Sequence, residues 1–366
     1  MVTSFPDSYS IYKPMLLLPH NAFTSSPWTK LLENHPANSV TLTPLWEKLA
    51  NGLGVTHIAT NAGIPLTKLP PNVEPTYSAL DENILRSPVN LTPIYGDFGP
   101  PVTPQRLSTP TPEDYASAFW VSHTQNGIHQ IWAPLYTMFS RGNIREKTRV
   151  LNLPSRQNGC AAVDLYAGIG YFAFSYKKAG IDKVLCWELN PWSIEGLRRG
   201  AERNGWSTRI FKELPTDADG YKVWAKAKDK AGSDAADFLI FQQSNEYACW
   251  ALASLDPGYD SRVSVPPVRH VNCGFLPSSS LSWEAAVRCI DGEAGGWIHA
   301  HENVAVDRID KKKDEVVAEM QRHLDELEAE KGSTESRRTV ARWEHTEKVK
   351  TYAPGVMHVV FDVSID

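Results

Sequence analysis

The sequence predicts an open α/β fold, a doubly wound and mostly parallel sheet preceded by a smaller N-terminal region. Three observations carry this. Residues 160–192, CAAVDLYAGIGYFAFSYKKAGIDKVLCWELNPW, read as a β-turn-α-β unit. Apolar runs at 237–241, 268–273 and 295–304 have the length of further buried strands. Two runs near the C-terminus, 339–351 and 357–363, are joined by Tyr352-Ala353-Pro354-Gly355 and form a closing hairpin.

The totals agree with a globular protein of two units. A chain of 366 residues can bury a substantial core. Its apolar content of 42% and charged content of 22% are those of an ordinary soluble protein. The net charge of −5 does not advertise a nucleic-acid binder, so any such role needs a local basic patch. The five cysteines (160, 186, 249, 273 and 289) contain no C-x-x-C pair and read as small, reduced core residues. The run 15–19 is too short for a leader, and no stretch approaches the ~20 apolar residues of a membrane span. A reduced compartment, most simply the cytoplasm, is expected, with no membrane partner.

Residues 1–112 form a Pro-, Thr-, Ser- and Asn-rich region, a possible RNA-contacting domain. Helical pieces are predicted at 28–34 and 44–51, the second capped by Thr43, and a short strand at 55–59. The proline-rich 64–112 reads as irregular, with a turn at 94–99. Trp28, Trp46 and His57 read as packing residues. Residues 113–158 connect this region to the rest. They hold a hairpin, 119–122 with 127–132, and then a basic run, 138–150. His123 and His129 lack an accompanying acid or cysteine cluster and read as plain strand residues, so no metal is expected there. In the basic run, Arg141, Arg145, Lys147 and Arg149 surround a Ser140-Arg141-Gly142-Asn143 turn. Two readings stand: a solvated helix start, or a lip where Ser140 and Lys147 meet a carboxylate and the arginines meet phosphates.

Residues 159–366 form the sheet domain. Gly168 and Gly170 let the backbone turn tightly and approach a ligand with no Cβ in the way. The helix behind them offers free N–H groups. Glu188 stands at the end of the second strand, 20 residues after Gly168. An acid there can bind ribose hydroxyls. Ala173 fills the third position of the dinucleotide fingerprint, so spacing alone does not exclude a nicotinamide or flavin. Asp164, four residues before Gly168, and Asn190-Pro191 after the acid point instead to S-adenosylmethionine.

A helix at 191–204 follows, its arginines 198, 199 and 203 reading as a solvated face. Residues 214–233 read as an inserted surface segment. The strand at 237–241 runs into Ser244 and Asn245, which are either adenine contacts or an ordinary polar turn. After the strand ending at 273, the loop from Asn272 to Pro277 lies where an acceptor should meet the cofactor, outside the carboxyl ends of the strands. Next come a helix at 281–290, the strand carrying His299 and His301, and a charged helix at 308–331. The two histidines read as packed or hydrogen-bonded rather than metal-bound. This seven-strand order, ending antiparallel, resembles the Rossmann-like class I S-adenosylmethionine-dependent transferases.

Six segments in order, FSRGNIREKTRV (139–150), VDLYAGIGYF (163–172), WELNPWSIEGLRRGAERNG (187–205), RHVNCGFLPSS (269–279), GGWIHAHENV (295–304) and EKVKTYAPGVMHVVFDV (347–363), together resemble the tRNA wybutosine-synthesizing protein 2 family, relatives of the tRNA guanine-N1 methyltransferases. The first third matches no motif of that family. The resemblance implies transfer of the 3-amino-3-carboxypropyl group of S-adenosylmethionine to C7 of 4-demethylwyosine at position 37, in the anticodon loop of phenylalanine tRNA, releasing methylthioadenosine. Carried over by motif, Ser140, Lys147, Glu188 and the pair Ser244-Asn245 are cofactor contacts, together with Asp164, Gly168 and Gly170 of the bend. The pair departs from the Asp-Asn of many relatives at Ser244. VNCGFLPSS differs from the acid/Asn-Pro-Pro loop of amino-group methylation and favours a carbon acceptor. No general base stands out, and catalysis by placement is expected. A tRNA guanine-N1 methyltransferase and a non-catalytic tRNA-binding protein are the alternatives. The intact Asp164, Gly168, Gly170 and Glu188 argue against the second.

Overall fold

The computed structural model describes residues 8–61, 88, 91–153, 159–227, 236–255, 265–331 and 338–366. The chain divides into two compact units: 1–125 with 129–139 and 190–196, and 126–128 with 140–189 and 197–366. The hairpin that sequence assigned to a connector therefore clusters mainly with the first unit, and the basic run from Ser140 onward with the second.

In the first unit, strands β1 (Ser10–Tyr12), β2 (Met15–Pro19), β3 (His57–Asn61) and β4 (Leu91–Tyr95) form one sheet in that order. Helices α1 (Ser26–Asn34) and α2 (Thr43–Leu53) connect the parallel pair β2 and β3. Both carry proline at the start, where no helical N–H is lost. α2 stops at Gly54, which takes the left-handed conformation with φ +64°. Trp28 and Trp46 stack 6.2 Å apart among Leu16, Leu18 and Ile58, as packing residues should. His57 packs on Phe119 and hydrogen-bonds the Asp97 carbonyl, 2.9 Å away.

The expectation of irregular chain over 64–112 is corrected where the chain is described. β4 lies there, as does α3 (Pro104–Ser108). β4 tolerates Pro93 because it is the edge of its sheet, where a missing N–H breaks no central ladder. Residues 62–87, 89 and 90 lie outside the described chain. α4 (Pro112–Ser117) starts with a reciprocal capping box between Thr111 and Asp114. The hairpin follows as β5 (Val121–Gln125) and β6 (Ile128–Trp132). Asn126 and Gly127 both have positive φ, as a tight two-residue hairpin turn demands.

The second unit opens with α5 (Ile144–Leu151). The predicted β-turn-α-β unit follows as β7 (Ala161–Asp164), α6 (Ala173–Lys178) and β8 (Lys183–Trp187). Every residue of β7 and β8 is buried, and Val163, Val184 and Leu185 each contribute about 1.5–3 kcal/mol on burial. Next in the chain are α7 (Pro191–Arg203), of which 191–196 belong to the first unit, β9 (Thr208–Phe211), α8 (Ala218–Ala227), β10 (Phe238–Phe241), α9 (Ala248–Ala253), β11 (Val268–Cys273), α10 (Trp283–Cys289), β12 (Gly296–Ala305) and α11 (Ile309–Lys331). β13 (Ala341–Ala353) and β14 (Val356–Ile365) close the chain as the expected hairpin.

The sheet runs β13-β14-β12-β11-β7-β8-β10-β9. β14 is antiparallel to both its neighbours, while the strands from β12 to β9 are mutually parallel. The predicted seven-strand order is present, with β9 added as an eighth strand. Its Thr-Arg-Ile-Phe run pairs with β10 along the edge that β10 would otherwise leave open. The segment expected at 214–233 to be surface insertion includes α8, whose Tyr221 is buried against the sheet. Strand order reverses between β7 and β11, which places the cofactor bend at the switch point of the sheet.

Candidate active site

The bend after β7 is closed by one acid. A Glu188 carboxylate oxygen accepts a 2.8 Å hydrogen bond from the Gly168 N–H. The predicted ribose-binding acid and the predicted glycine turn are thus one local structure. Gly168 has φ +54° and Gly170 φ +87°, both in the left-handed region. A Cβ on Gly168 would lie 2.6 Å from the Tyr171 ring, and one on Gly170 would lie 2.7 Å from the Phe174 ring. The glycines therefore let two aromatic rings lie on the bend.

Tyr171 joins the bend to the basic run. Its phenol oxygen accepts from the Ser140 backbone N–H, and the Lys147 Nζ lies 5.4 Å from its ring centroid. Burial, with Glu188 nearby, pushes its pKa up, so the phenol stays protonated. Tyr171 is a site residue that sequence reasoning passed over. The available signal was its place directly after the G-x-G.

Lys147 is 3% exposed. Burial, and secondarily the charge of Lys350 on β13, bring its pKa down to about 7. A buried ammonium is costly to hold unless hydrogen bonds or an opposite charge meet it. Its burial does not fit a fully solvated helix start, one of the two readings left open for the basic run. Ser140 is half-buried at the start of that lip, directly before the turn at Arg141–Asn143.

The three arginines part company. Arg141 is exposed. Arg145 is also exposed and pairs with Glu347. Arg149 is held by Glu146 and Asp362, both buried, and its side chain is only 15% exposed. Its bidentate partners leave it a structural role, and the assignment of Arg149 to RNA gives way on that ground.

Asp164 is fully buried. One carboxylate oxygen accepts from the Asn272 side-chain amide at 3.0 Å and from the Tyr166 N–H at 3.3 Å. Burial outweighs these bonds and raises its pKa to about 6. Asp164 therefore supports the bend from beneath and ties it to β11. Asn272, expected at the acceptor loop, is itself buried, and its oxygen faces His301 Nε2 at 3.2 Å. His301 continues to His358 at 3.1 Å. His299 bonds His270 and Asp362. The β12 histidines are members of a hydrogen-bonded layer, as expected of packed strand residues.

The loop from Asn272 to Pro277, expected to border the acceptor, is pinned at its far end. Glu302 accepts from Ser278 Oγ at 2.9 Å and from the Ser279 N–H at 2.8 Å, and Lys312 pairs with its other oxygen. The Pro277 carbonyl receives the Asn303 N–H at 2.8 Å, while the Pro277 ring is exposed. Tyr166 and Phe275 lie 4.9 Å apart at the mouth between β7 and β11. Asn245 donates to the Leu165 carbonyl at 2.8 Å, which sets the β10 exit loop against the bend. Ser244 is half-buried just before it. The structure so brings Ser140, Lys147, Asp164, Gly168, Gly170, Glu188 and Asn245 around one bend. The donor set suits a nucleoside with a carboxylate tail: an acid for hydroxyls, a glycine turn for close approach and a lysine for the anion.

Comparison with known proteins agrees. Residues 121–230 match the model of the TRM5/TYW2 methyltransferase domain. A Schizosaccharomyces pombe tRNA wybutosine-synthesizing protein 2 is 37% identical over 98% of this chain and 72% of the relative. The Saccharomyces cerevisiae protein of the same name is 31% identical over 100% and 75%. The chain belongs to the tRNA wybutosine-synthesizing protein 2 family. Its fold is that of a Pyrococcus horikoshii TYW2 solved in complex with MeSAdo, with a TM-score of 0.55 at 18% identity, over 100% of this chain and 92% of the other. As a member of the tRNA wybutosine-synthesizing protein 2 family, the chain is an S-adenosylmethionine-dependent transferase of wybutosine synthesis, and its substrate is tRNA.

Proposed function

We propose that the second unit holds S-adenosylmethionine over the bend after β7, with each part of the molecule met by a different element. Glu188 binds the ribose hydroxyls, Ser244 and Asn245 border the adenine, and Ser140 and Lys147 take the carboxylate. The observation that carries this is the Glu188 carboxylate fastened to Gly168. It fixes an acid beside the turn where a nucleoside docks.

The reaction is transfer of the 3-amino-3-carboxypropyl group to C7 of 4-demethylwyosine. Bound S-adenosylmethionine supplies an electrophilic carbon next to a positive sulfur. A C–C bond forms at C7 as the C–S bond breaks; methylthioadenosine leaves with the electron pair and C7 loses its proton. The sulfonium has three activated carbons, so the outcome rests on which one is held in line. Anchoring the carboxylate at Ser140 and Lys147 fixes the chain that carries the γ-carbon. The loop from Asn272 to Pro277, stiffened by Asp164 at one end and Glu302 at the other, borders the acceptor.

The acceptor tRNA in this reading is phenylalanine tRNA, modified at position 37 of the anticodon loop, with Arg141 and Arg145 supplying phosphate contacts. The first unit is a further tRNA-contacting region, and the cytoplasm the site of action. The deciding experiment incubates the protein with S-adenosylmethionine and phenylalanine tRNA bearing the precursor base. Methylthioadenosine is the expected by-product. S-adenosylhomocysteine alone would replace this reading with guanine methylation. A tRNA of another specificity reacting equally well would remove the phenylalanine assignment.

A further inference from the structure

We propose that Lys350, on the closing hairpin, is a second cation for the carboxylate of S-adenosylmethionine, acting beside Lys147. The proposal rests on the reading that Ser140 and Lys147 receive that carboxylate.

Lys350 comes from β13, 203 residues after Lys147, and its side chain reaches back to the turn that begins at Ser140. A Cβ on Gly142 would lie 2.8 Å from the Lys350 Nζ and 2.9 Å from its Cδ. Glycine at 142 thus leaves the lane along which the lysine lies. Burial chiefly lowers the pKa of Lys147 and of His358, the cross-strand partner of Lys350 on β14, and the Lys350 charge lowers both further. Lys350 is itself half-buried, and burial lowers its own pKa. Among the described residues, no carboxylate lies within ion-pair distance of Lys350. Of the two acids on the same strand, Glu347 is engaged with Arg145 and Glu344 accepts from Trp297 Nε1.

Two ammonium groups brought together in a partly dry setting repel each other and lose hydration. An oxyanion placed between them reverses both costs. S-adenosylmethionine carries one such group, and it travels with the chain that is transferred. A second cation at this end therefore reads the transferred chain rather than the nucleoside. A tRNA phosphate has the same chemistry. The carboxylate is favoured because Lys147 is nearly inaccessible to a phosphate on a bulky backbone.

The test uses calorimetry on the full chain with two ligands, S-adenosylmethionine and its decarboxylated form, which keeps the sulfonium and the amine. Lys350→Met should weaken S-adenosylmethionine by about tenfold to a hundredfold and change the decarboxylated ligand less than about twofold. Gly142→Ala keeps every charge but moves the ammonium, and should give a smaller loss with the same ligand selectivity. Its φ is not in the left-handed region, so the fold tolerates the change. Equal weakening of both ligands, or of neither, overturns the proposal. So does an unchanged S-adenosylmethionine affinity accompanied by weaker, less salt-dependent tRNA binding, which would assign Lys350 to phosphate. If Lys147→Met removes the preference for S-adenosylmethionine and Lys350→Met does not, this inference fails and the parent reading stands. If the unaltered protein binds both ligands equally, both fall.

Discussion

Binding of S-adenosylmethionine should depend on pH through Lys147, and the sign follows from its burial. In the free protein its pKa is about 7, against 10.5 for an ordinary lysine. At about 1.4 kcal/mol for each tenfold change, the site charges this lysine at a cost of about 5 kcal/mol. A carboxylate at the ammonium recovers part of that cost and pulls the pKa back up. Below pH 7 the lysine is charged before and after binding, so affinity is flat. Above pH 7 the free site is neutral and must take up a proton to bind. Affinity then falls toward tenfold per pH unit, until the pKa of the bound state is reached. Calorimetry at pH 6, 7, 8 and 8.5, in paired buffers of different ionisation enthalpy, measures affinity and proton uptake together. Lys147→Met serves as the reference, because it retains any titration of the ligand's own amine. Its affinity should be about tenfold to a hundredfold weaker at pH 6.5 and should lack the lysine's share of the slope. Identical pH profiles for the two proteins, with equal proton uptake, would refute the placement of the carboxylate at Lys147.

Other outcomes follow from the same geometry. Glu188→Ala should weaken S-adenosylmethionine by about 1–3 kcal/mol, the scale of hydrogen bonds to a charged group, and an unchanged dissociation constant removes Glu188 from the site. Asp362→Asn should cost about 3–5 kcal/mol of stability, since it takes the charge from the partner that half-buried Arg149 and buried His299 share. Burial pushes the Asp362 carboxyl up, but His299 and Arg149 outweigh it and hold it well below the usual range. Its contribution is therefore present above an unfolded value near ~4 and is lost as pH falls through that value toward the folded one. The gap between the two proteins in urea titrations should accordingly narrow between pH 7 and pH 3, and a constant gap contradicts this. Neutralising Arg141 and Arg145 together should lower tRNA affinity and flatten its salt dependence, while Arg149→Met should act on stability instead. Equal salt slopes before and after would place the first two arginines away from RNA.

The parts of the fold legible from sequence are those with local signals. The bend is one, since Gly168, Gly170 and Gly180 all take positive φ, which their identity announced. The Glu188 contact was legible because two adjacent parallel strands put their ends side by side. The first sheet was mostly hidden: β1, β2 and β4 are three to five residues long, and β4 contains a proline. α8 was missed because the polar, glycine-punctuated segment 214–233 hides the packing of Tyr221 on the sheet, and β9, just before it, is only four residues long. The fate of Arg149 was illegible for a different reason. Its partner Asp362 lies 213 residues away, and a buried ion pair of that span leaves no local pattern.

The hydrogen bonds from Asp164 through Asn272 and His301 to His358 run in a single sense. Asp164, as a carboxylate, only accepts, so Asn272 turns its NH2 toward it and its oxygen toward His301. Burial and the neighbouring histidines keep His301 neutral, so its one proton sits on Nε2 and its Nδ1 lone pair awaits His358. His358 must then carry its proton on Nε2, leaving Nδ1 bare, and that atom has no donor among the described residues. One carboxylate under the bend thus dictates amide orientation and two imidazole tautomers across three further strands. Replacing Asp164 by asparagine would leave that direction undetermined, and the far histidine would register the change in its ring-nitrogen chemical shifts.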